Sequence, residues 1–398
     1  MKNTHNIAIL GFGVVGGGVA DLITNNQAEI KNYSGAEVNI KRILDLRDFP
    51  DSPFGEMVTH NFDDILNDGE IDTVCELMGG SHPAYEYTMA ALKAGKNVIT
   101  SNKEVVASFG DEFLKCAKEN GVSYRFEASV GGGIPALSPI INCVRQNKMR
   151  EIRGILNGTT NYILTKMFTY GESFESALKD AQEKGYAERN PDADILGTDA
   201  CRKITILTAL ATDKLVNVND VHTEGITKIR ANDVKAAEKI GMKIKLLGRC
   251  ILDGEAQIMV APFLMGNDAP LSNVSGVFNA IEVVAEPLGN VMFYGPGAGA
   301  GATASAVVGD LMQVIASGVN CKAPVFERTD YSPLTAFASF KCKNYVALSK
   351  GNEGNAEKFG KVTFIESEEC AFITECMSEA EFEKASKGVE ILSRIRLL

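Results

Sequence analysis

The chain has 398 residues, of which 45% are hydrophobic and 23% are charged, and its formal net charge is −11. This length exceeds what one hydrophobic core holds, so the composition predicts an ordinary soluble protein of two or three domains. The negative charge argues against nucleic acid or an anionic membrane as the main partner, because both require a basic face. A small-molecule ligand fits this charge better.

Nine cysteines are scattered along the chain without a Cys-x-x-Cys pair. Their odd number and spacing are typical of reduced thiols in a cytoplasmic protein, and they argue against a disulfide framework or a zinc site. A glycine-rich loop begins at Gly11, which leaves no room for a signal peptide. No apolar run reaches the roughly 18 residues that a membrane span needs. We therefore expect a cytoplasmic protein without a membrane partner.

Strands and helices alternate through the first third of the chain. The apolar run 7–10 predicts a strand, and segment 19–26, after a glycine loop, has helical periodicity. Further elements follow in chain order: strand 38–46, strand 73–78, helix 85–95, strand 97–101, helix 111–121 and strand 122–128. This alternation predicts an α/β fold with a doubly wound parallel sheet of the Rossmann type over residues 1–145.

The loop after the first strand has the sequence Gly11, Phe12, Gly13, Val14, Val15 and Gly16. In this G-x-G-x-x-G pattern the first glycine allows a tight turn and the second admits a pyrophosphate. The third lets helix and strand pack closely, and the amino terminus of the helix favours the phosphate charge. The setting predicts a dinucleotide-binding domain. The alternative interpretation is a flexible turn in a glycine-rich chain.

Two charged residues at the end of the second strand bear on the choice of dinucleotide. Asp45 would accept a hydrogen bond from the ribose 2′-hydroxyl of NAD, whereas Arg47 would hold the 2′-phosphate of NADP. A third interpretation is a charged strand end that contacts no ligand. The sequence pattern alone leaves all three open.

The character of the chain changes after residue 145. Strands outnumber helices over residues 146–299, which predicts a second, α+β domain. A Gly/Ala loop opens a helix within 295–318, and we expect residues 300–325 to return to the first domain and complete it. The tail 340–398 has the predicted order β-β-β-α-β of a small sheet with one helix.

Three polar loops are candidates for ligand binding. Ser101, Asn102 and Lys103 end a strand at the edge where ligands bind in open α/β sheets, although a solvated loop is the alternative. Residues 127–135 form a second glycine-rich loop, which would approach a ligand, carry carbonyl oxygens to a cation or act as a domain hinge. Residues 157–161 would cap a helix or bind a small polar substrate, and capping is the simpler interpretation.

The segment 190–203 places Asp194, Asp199 and Lys203 in front of a strongly apolar run. Asp199 and Lys203 are four residues apart and therefore share one helix face. A lysine partly removed from water, with a carboxylate to orient it, is a usable proton donor near neutral pH. The alternative is an exposed ion pair worth about 0.2–0.5 kcal/mol. Spacing alone leaves both interpretations open.

Together these segments resemble homoserine dehydrogenase. The family signature A-x-x-x-G-aromatic, then P-x-x-D-aliphatic-x-G-x-D-x-x-x-K, is matched by Ala181, Gly185, Tyr186, Pro191, Asp194, Ile195, Gly197, Asp199 and Lys203. Other matching segments are GFGVVG (11–16), ELMGG (76–80), TSNKEVVA (100–107), ILNGTTNYIL (155–164), EGITKI (224–229) and YGPGAGAGATASAVVGDL (294–311). The resemblance covers roughly residues 5–325.

The resemblance implies an NAD(P)(H)-dependent oxidoreductase that interconverts L-aspartate 4-semialdehyde and L-homoserine on the pathway to threonine and methionine, by direct hydride transfer. It implies that Lys203 donates a proton to the carbonyl oxygen, with Asp199 positioning it. Lys103 would be a second lysine at the reacting oxygen. Glu188 and Asp194 would hold the substrate ammonium, which requires carboxylates. Gly158 and Thr159 would present polar groups to the substrate.

The resemblance also implies the cofactor-binding residues, which are the loop 11–16 together with Arg47, Gly79, Ser101, Lys103, Gly297, Gly299 and Thr303. Arg47-Asp48 matches an Arg-Asp pair common in the family, which favours NADP over NAD. Ala302 stands where family members often have proline, which loosens the expected loop. Family members hold a monovalent cation, Na+ or K+, largely by backbone carbonyls, and the matching positions are Glu127, Val130, Gly132 and Ile134.

The family's middle domain is typically a dimer interface, so we expect a homodimer or a higher homo-oligomer. The tail resembles a shortened ACT domain, and threonine feedback through it is a hypothesis. Two rival functions predict different residues. An aldehyde or imine reductase with a catalytic Cys or His would need such a residue in a ligand-proximal loop, and no Cys-centred motif is evident. A non-catalytic nucleotide sensor predicts a degraded proton-transfer set, yet Lys103, Asp199 and Lys203 are all present.

Overall fold

The computed structural model describes residues 3–317, 323–329 and 337–398. The chain divides into two compact units. The first contains Met1–Arg145, Ile206–Leu215 and Pro296–Thr329, and the second contains Gln146–Thr205, Val216–Gly295 and Asp330–Leu398.

The strands, in chain order, are β1 (Thr4–Leu10), β2 (Glu37–Leu44), β3 (Val58–Thr59), β4 (Thr73–Glu76), β5 (Asn97–Thr100), β6 (Tyr124–Arg125), β7 (Lys148–Ile155), β8 (Lys214–Leu215), β9 (His222–Thr223), β10 (Met242–Ile251), β11 (Gln257–Gly266), β12 (Phe278–Glu286), β13 (Gly289–Pro296), β14 (Glu327–Arg328), β15 (Lys341–Cys342), β16 (Asn344–Leu348), β17 (Val362–Ile365), β18 (Cys370–Thr374), β19 (Met377–Ser378) and β20 (Ile391–Leu397). The helices are α1 (Val14–Asn25), α2 (Gln27–Ser34), α3 (Asp63–Leu66), α4 (Ala84–Lys93), α5 (Lys103–Glu119), α6 (Leu137–Pro139), α7 (Gly158–Tyr170), α8 (Phe174–Glu183), α9 (Asp192–Ile195), α10 (Thr198–Thr212), α11 (Ala231–Lys239), α12 (Ala300–Ser317), α13 (Glu353–Ala356) and α14 (Glu379–Ser386).

A six-stranded sheet forms the first unit, in the order β3-β2-β1-β4-β5-β6. All of its strand pairs are parallel. Residues 7–10 of β1 are fully buried, as expected for a central strand covered by helices on both faces. The predicted Rossmann-type α/β fold is confirmed, with its switch point between β1 and β4.

Helix α12 supplies part of the core of the first unit. Its Ala304, Val307 and Leu311 share one buried cluster with Val19 and Ile23 of α1. Among the described residues, α12 is also the one helix long and apolar enough to cross a membrane, with a mean hydropathy of 1.2 over 18 residues. The core helix of a globular unit passes the same test, so this is weak evidence for a membrane span.

The second unit is built on a ten-stranded mixed sheet with the order β13-β12-β7-β10-β11-β20-β16-β18-β17, and β9 lies beside β11. Strands β7, β10, β11 and β12 pair antiparallel. Strand β20 pairs in parallel with β11 and antiparallel with β16. The mixed strand-and-helix character predicted for this part of the chain is confirmed.

The tail has the predicted element order, with β16, β17 and β18 followed by α14 and β20. In the part of the chain that the structure describes, residues 340–398 fall within the second unit instead of forming a compact unit of their own. The reason is β20, which inserts between β11 and β16 and makes the tail part of the larger sheet. The resemblance of the tail to an ACT domain stays a prediction.

Candidate active site

The glycine loop of the first unit has the backbone that its pattern predicts. Gly11 has a φ of +90°, and a Cβ there would lie 3.0 Å from the carbonyl oxygen of Leu77. A Cβ on Gly16 would lie only 2.1 Å from the carbonyl oxygen of Gly11, so no larger residue fits without moving the loop. A Cβ on Gly13 would meet nothing within 4 Å. A pyrophosphate bound as the pattern predicts would use this open space before α1.

Asp45 is bonded to the glycine loop and to Arg47. Its carboxylate accepts a hydrogen bond from the Phe12 amide at 2.8 Å, and the Arg47 guanidinium contacts its two oxygens at 3.0 and 3.1 Å. The hydrogen bond from Arg47, aided by the backbone amides, lowers the pKa of Asp45 to about 2 against the effect of burial. The Arg47 side chain stays 63% exposed, so its charge is accessible from solvent beside the loop.

The other predicted cofactor residues of the first unit lie at strand and helix ends. Gly79 is exposed after β4, while Ser101 and Lys103 are half-buried at the junction of β5 and α5. The Thr303 amide donates to the Gly299 carbonyl at 3.0 Å in the first turn of α12. Gly297, just before it, is buried. The start of α12 lies against α1, because a Cβ on Gly18 would be 3.1 Å from the carbonyl oxygen of Ala300.

Glu127 belongs to the loop predicted to hold a cation, but backbone amides occupy its carboxylate. The amides of Ala136, Leu137 and Ser138 donate to it at 2.7, 2.8 and 2.7 Å. The Glu127 amide in turn donates at 2.8 Å to Asp310, a carboxyl whose pKa is raised to about 7 by burial and then by the Glu127 charge. The Glu127 side chain is therefore committed to holding the backbone of its own loop.

The predicted cation site at this loop stays a prediction, and it relies on the main chain. Across residues 3–317, 323–329 and 337–398, no three or more His, Cys, Asp or Glu side chains gather in a way that would hold a metal ion. The ligands would be carbonyl oxygens, which suits a hard monovalent ion, at the positions Glu127, Val130, Gly132 and Ile134.

Asn157 connects three parts of the second unit. It is the N-cap of α7, and its Oδ1 accepts a hydrogen bond from the Thr160 amide at 2.8 Å. Its Nδ2 donates to Asp194 at 2.6 Å and to Asp199 at 2.9 Å. The capping interpretation is confirmed, and Asn157 also joins two of the predicted site carboxylates.

Lys203 lies in the interior of this cluster. Its Nζ donates to Oδ2 of Asp199 at 2.8 Å and to the carbonyl oxygen of Leu156 at 2.8 Å. Lys203 is 8% exposed and Asp199 5%, and both belong to α10. The alternative of an exposed ion pair is therefore wrong. The pair is buried, and Asn157 holds it through its hydrogen bond to Asp199.

The remaining predicted substrate residues divide into two groups. Gly158 and Thr159 start α7 beside this cluster, and the Thr159 hydroxyl donates to the Tyr186 carbonyl at 2.6 Å. Asp194 is half-buried, and burial raises the pKa of its carboxyl although the Asn157 hydrogen bond opposes the shift. Glu188 is exposed on the segment after α8, and within the described residues its carboxylate makes no hydrogen bond to the cluster.

A second buried lysine, Lys245, was not predicted from the sequence. Lys245 on β10 is 3% exposed, and its Nζ donates to Oδ1 of Asn161 at 3.0 Å. Burial lowers the pKa of this amine to about 7. Asn161 donates to the carbonyl oxygens of Gly276 and Phe278, so this group supports the first turns of α7. A lysine inside a strand has no sequence signal of its own, because β10 otherwise reads as an ordinary buried strand.

The glycine-loop Rossmann unit and the buried lysine–aspartate pair define an oxidoreductase of the nicotinamide-dependent class. The homoserine dehydrogenase family model matches residues 135–312, and the model of the homoserine dehydrogenase NAD-binding domain matches residues 11–127. The homoserine dehydrogenase of Bacillus subtilis (strain 168) is 37% identical over 376 residues, which span 91% of this chain and 84% of that protein. The chain belongs to the homoserine dehydrogenase family.

Solved structures of the same family have the same fold. A homoserine dehydrogenase from Thiobacillus denitrificans is 31% identical with a TM-score of 0.90, and the match covers 99% of this chain and 98% of that one. A hyperthermophilic archaeal homoserine dehydrogenase mutant in complex with NADPH is 27% identical with a TM-score of 0.67, and the match covers 79% of this chain and 98% of that one.

Proposed function

We propose that the protein interconverts L-aspartate 4-semialdehyde and L-homoserine in threonine and methionine biosynthesis, and that Lys203 is the proton donor. The observation that carries the proposal is the buried Lys203–Asp199 contact in a chain of this family. An ammonium group has three N–H donors. Asp199 and the Leu156 carbonyl take two of them, which leaves one for a substrate oxygen.

A nicotinamide cofactor, when bound, would supply the hydride for C4 of the semialdehyde. The carbonyl oxygen then gains negative charge, which the remaining N–H of Lys203 stabilises before it passes a proton to that oxygen. Asp199 and the Leu156 carbonyl hold the amine in one orientation throughout. In the proposal Lys103 is a second lysine at the reacting oxygen.

The charged ends of the amino-acid substrate call for two different kinds of group. Asp194 and Glu188 supply carboxylates for the ammonium, and an ammonium beside Asp194 would offset the burial that raises the pKa of this carboxyl. Gly158 and Thr159 start α7, and the amino terminus of a helix favours a negative group such as the substrate carboxylate.

The proposed reaction is tested by following the formation of reduced nicotinamide when the purified protein is given L-homoserine with NAD+ or with NADP+. L-Threonine, which carries its hydroxyl on the neighbouring carbon, is the control substrate. Turnover of homoserine alone supports the proposal, whereas no turnover of homoserine with either cofactor would refute it.

NADP(H) is the proposed preferred cofactor, with Arg47 on its 2′-phosphate. The support is an exposed guanidinium beside a loop whose Asp45 is already bonded to the Phe12 amide. A charge-assisted hydrogen bond contributes about 1.5–3 kcal/mol, so Arg47→Ala is expected to raise KM for NADP+ by about tenfold or more. KM for NAD+ is expected to change less than about twofold, since NAD+ lacks the phosphate.

Steady-state kinetics with both cofactors make this comparison, and Arg42→Ala is the matched control because Arg42 is an exposed arginine of the neighbouring strand β2. Equal losses with NAD+ and NADP+ in the Arg47 variant would remove this residue from recognition of the phosphate.

A monovalent cation, Na+ or K+, is proposed at the carbonyl oxygens of Glu127, Val130, Gly132 and Ile134. The support is that three amides already bind the Glu127 carboxylate, which leaves a neutral carbonyl set suited to an ion of single charge. The ion would order the loop and would take no part in proton transfer.

A homodimer is proposed through the face of β13. Within the described residues β13 ends the order of the ten-stranded sheet, and it exposes Met292 and Tyr294. The Tyr294 ring stacks on exposed Phe278 at 5.2 Å between centroids. An apolar edge strand of this kind is open to pairing with a second copy.

We expect Tyr294→Asp to shift the protein from dimer to monomer in light scattering after size-exclusion chromatography, because a charge would be buried at the interface. Tyr33→Asp, at a tyrosine of α2 that is more exposed than Tyr294, is the control and should leave the mass unchanged. If the Tyr294 variant remained a dimer, the proposed interface at β13 would be wrong.

A further inference from the structure

Glu76 is a buried carboxylate that the proposed reaction does not use. It is the last residue of β4 and has no exposed surface. One of the predicted cofactor-binding residues, Gly79, lies three positions later. A charged side chain in such a place is costly unless donors surround it.

Glu76 is part of a closed ring of hydrogen bonds. Its two oxygens accept from the Met78 amide at 2.9 Å and from the Thr100 hydroxyl at 2.6 Å. The Thr100 hydroxyl accepts from the Asn102 amide at 2.9 Å. The Asn102 side chain then donates to the Gly80 carbonyl at 2.8 Å, which returns the ring to the loop after β4.

This ring joins two loops that both carry predicted site residues. One is the loop after β4, with Gly79, and the other is the junction of β5 and α5, with Ser101 and Lys103. Asn102 is also the N-cap of α5, and its Oδ1 accepts from the Glu104 amide at 3.1 Å. Lys103 is the first residue of that helix. The ring therefore fixes the position of the Lys103 backbone.

We propose that Glu76 is a positioning residue of the dehydrogenase reaction, and that its ionised carboxylate holds the loop after β4 and the Lys103 backbone in their working arrangement. The inference rests on the proposed function. The directions of the hydrogen bonds support it, because both carboxylate oxygens act as acceptors. A proton on either oxygen would remove the negative charge and leave a weaker acceptor for these donors.

The ring is expected to respond to pH in the physiological range. Burial raises the pKa of Glu76 to about 7, although hydrogen bonds from Thr100, Met78 and Asn102 oppose the shift. The titratable group that faces it is the buried Tyr124 of β6, which stays neutral in this range because burial raises its pKa. The ring is therefore held by charge-assisted hydrogen bonds above about pH 7 and is weaker below it.

Two variants and one matched control test the proposal. Glu76→Gln keeps the shape of the side chain but cannot ionise, and Thr100→Val removes the central hydroxyl of the ring. Thr88→Val is the control, because Thr88 is an equally buried threonine of the first unit whose hydroxyl has no hydrogen-bond partner in the structure.

We expect kcat/KM at pH 8 to fall about tenfold in Glu76→Gln and Thr100→Val, since small displacements of catalytic groups are costly. Thr88→Val should stay within about twofold, as its hydroxyl bonds nothing. The wild type and Thr88→Val should lose activity as the pH falls through about 7, the pKa of Glu76, and Glu76→Gln should lack this acid limb. Wild-type kcat/KM with an unchanged pH profile in Glu76→Gln would overturn the proposal.

Titration with NADPH, followed by its fluorescence, separates this proposal from the proposed function. If the wild type does not oxidise homoserine, the proposed function fails, and weaker NADPH binding by Thr100→Val than by Thr88→Val still supports a role of the ring. If the wild type is active and all variants match it, only the role of Glu76 fails. Should Glu76→Gln not fold, the Thr100→Val and Thr88→Val pair decides by the same two measurements.

Discussion

Lys203→Met is expected to lower kcat for homoserine oxidation by about 10²–10⁴-fold, the usual contribution of a positioned proton-transfer group. KM for homoserine should change little, because the carboxylates and helix terminus proposed to bind the substrate remain. Methionine keeps the volume of the buried side chain, so the loss would report on the missing amine instead of a cavity. Steady-state kinetics with saturating cofactor give both constants.

Arg202→Met is the control for this change, because Arg202 is the preceding basic residue of the same helix and is less buried than Lys203. Its kcat is expected to stay near that of the wild type. A Lys203 variant with near-wild-type kcat would take Lys203 out of the chemistry and leave the buried pair with a structural role only.

Arg396→Met is expected to lower the free energy of unfolding by about 3–5 kcal/mol, the usual cost of breaking a buried ion pair from one side. Arg396 is 1% exposed, and its guanidinium contacts Glu379 and Glu224 at 2.8 Å each. Without it both carboxylates lose a buried partner. Urea unfolding of the second unit measures the change. Lys179→Met, which removes a highly exposed i,i+4 pair with Glu183, should cost less than about 0.5 kcal/mol.

The loss of stability in Arg396→Met depends on pH, and the direction of this dependence can be predicted. Burial raises the pKa of Glu224, but His222 and Arg396 outweigh burial and hold the pKa well below its usual range. A carboxylate with a depressed pKa contributes stability that is present above its unfolded pKa, about 4.3, and is lost as the pH falls below that value. The stability gap between wild type and Arg396→Met should therefore be full at pH 7 and shrink in acid. A gap that is absent at pH 7 would refute the role of the ion pair.

The first sheet was predictable because parallel strands buried on both faces form continuous apolar runs, as in residues 7–10. The bounds of the individual helices and strands were harder to predict. The first helix was expected at 19–26 but begins at Val14, because glycines 16–18 hide helical periodicity even though the loop itself forms the first turn. The strand expected at 122–128 is reduced to Tyr124–Arg125, since the backbone turns away at Glu127 toward Asp310.

In the candidate site, contacts between residues close in the chain were predictable, and contacts between distant residues were not. The Asp199–Lys203 contact follows from a spacing of four within one helix, so the sequence predicts it. The bonds of Asn157 join residues 37 and 42 positions apart in the chain, and those of Glu76 to Thr100 cross 24 positions. Such contacts depend on how strands and helices pack, and neither periodicity nor propensity in a short window carries that information.

The position of β20 has a consequence for the biosynthesis of the protein. Chains generally fold from the amino terminus as they leave the ribosome, yet Ile391–Leu397, which is made long after β11, belongs in the middle of the ten-stranded sheet. Strands β11 and β16 must wait with open edges until β20 has been made, and open edges are where chains aggregate. The second unit is therefore expected to complete its sheet only after Leu397 has left the ribosome, and a chain cut before Ile391 should aggregate rather than behave as a slightly shorter enzyme.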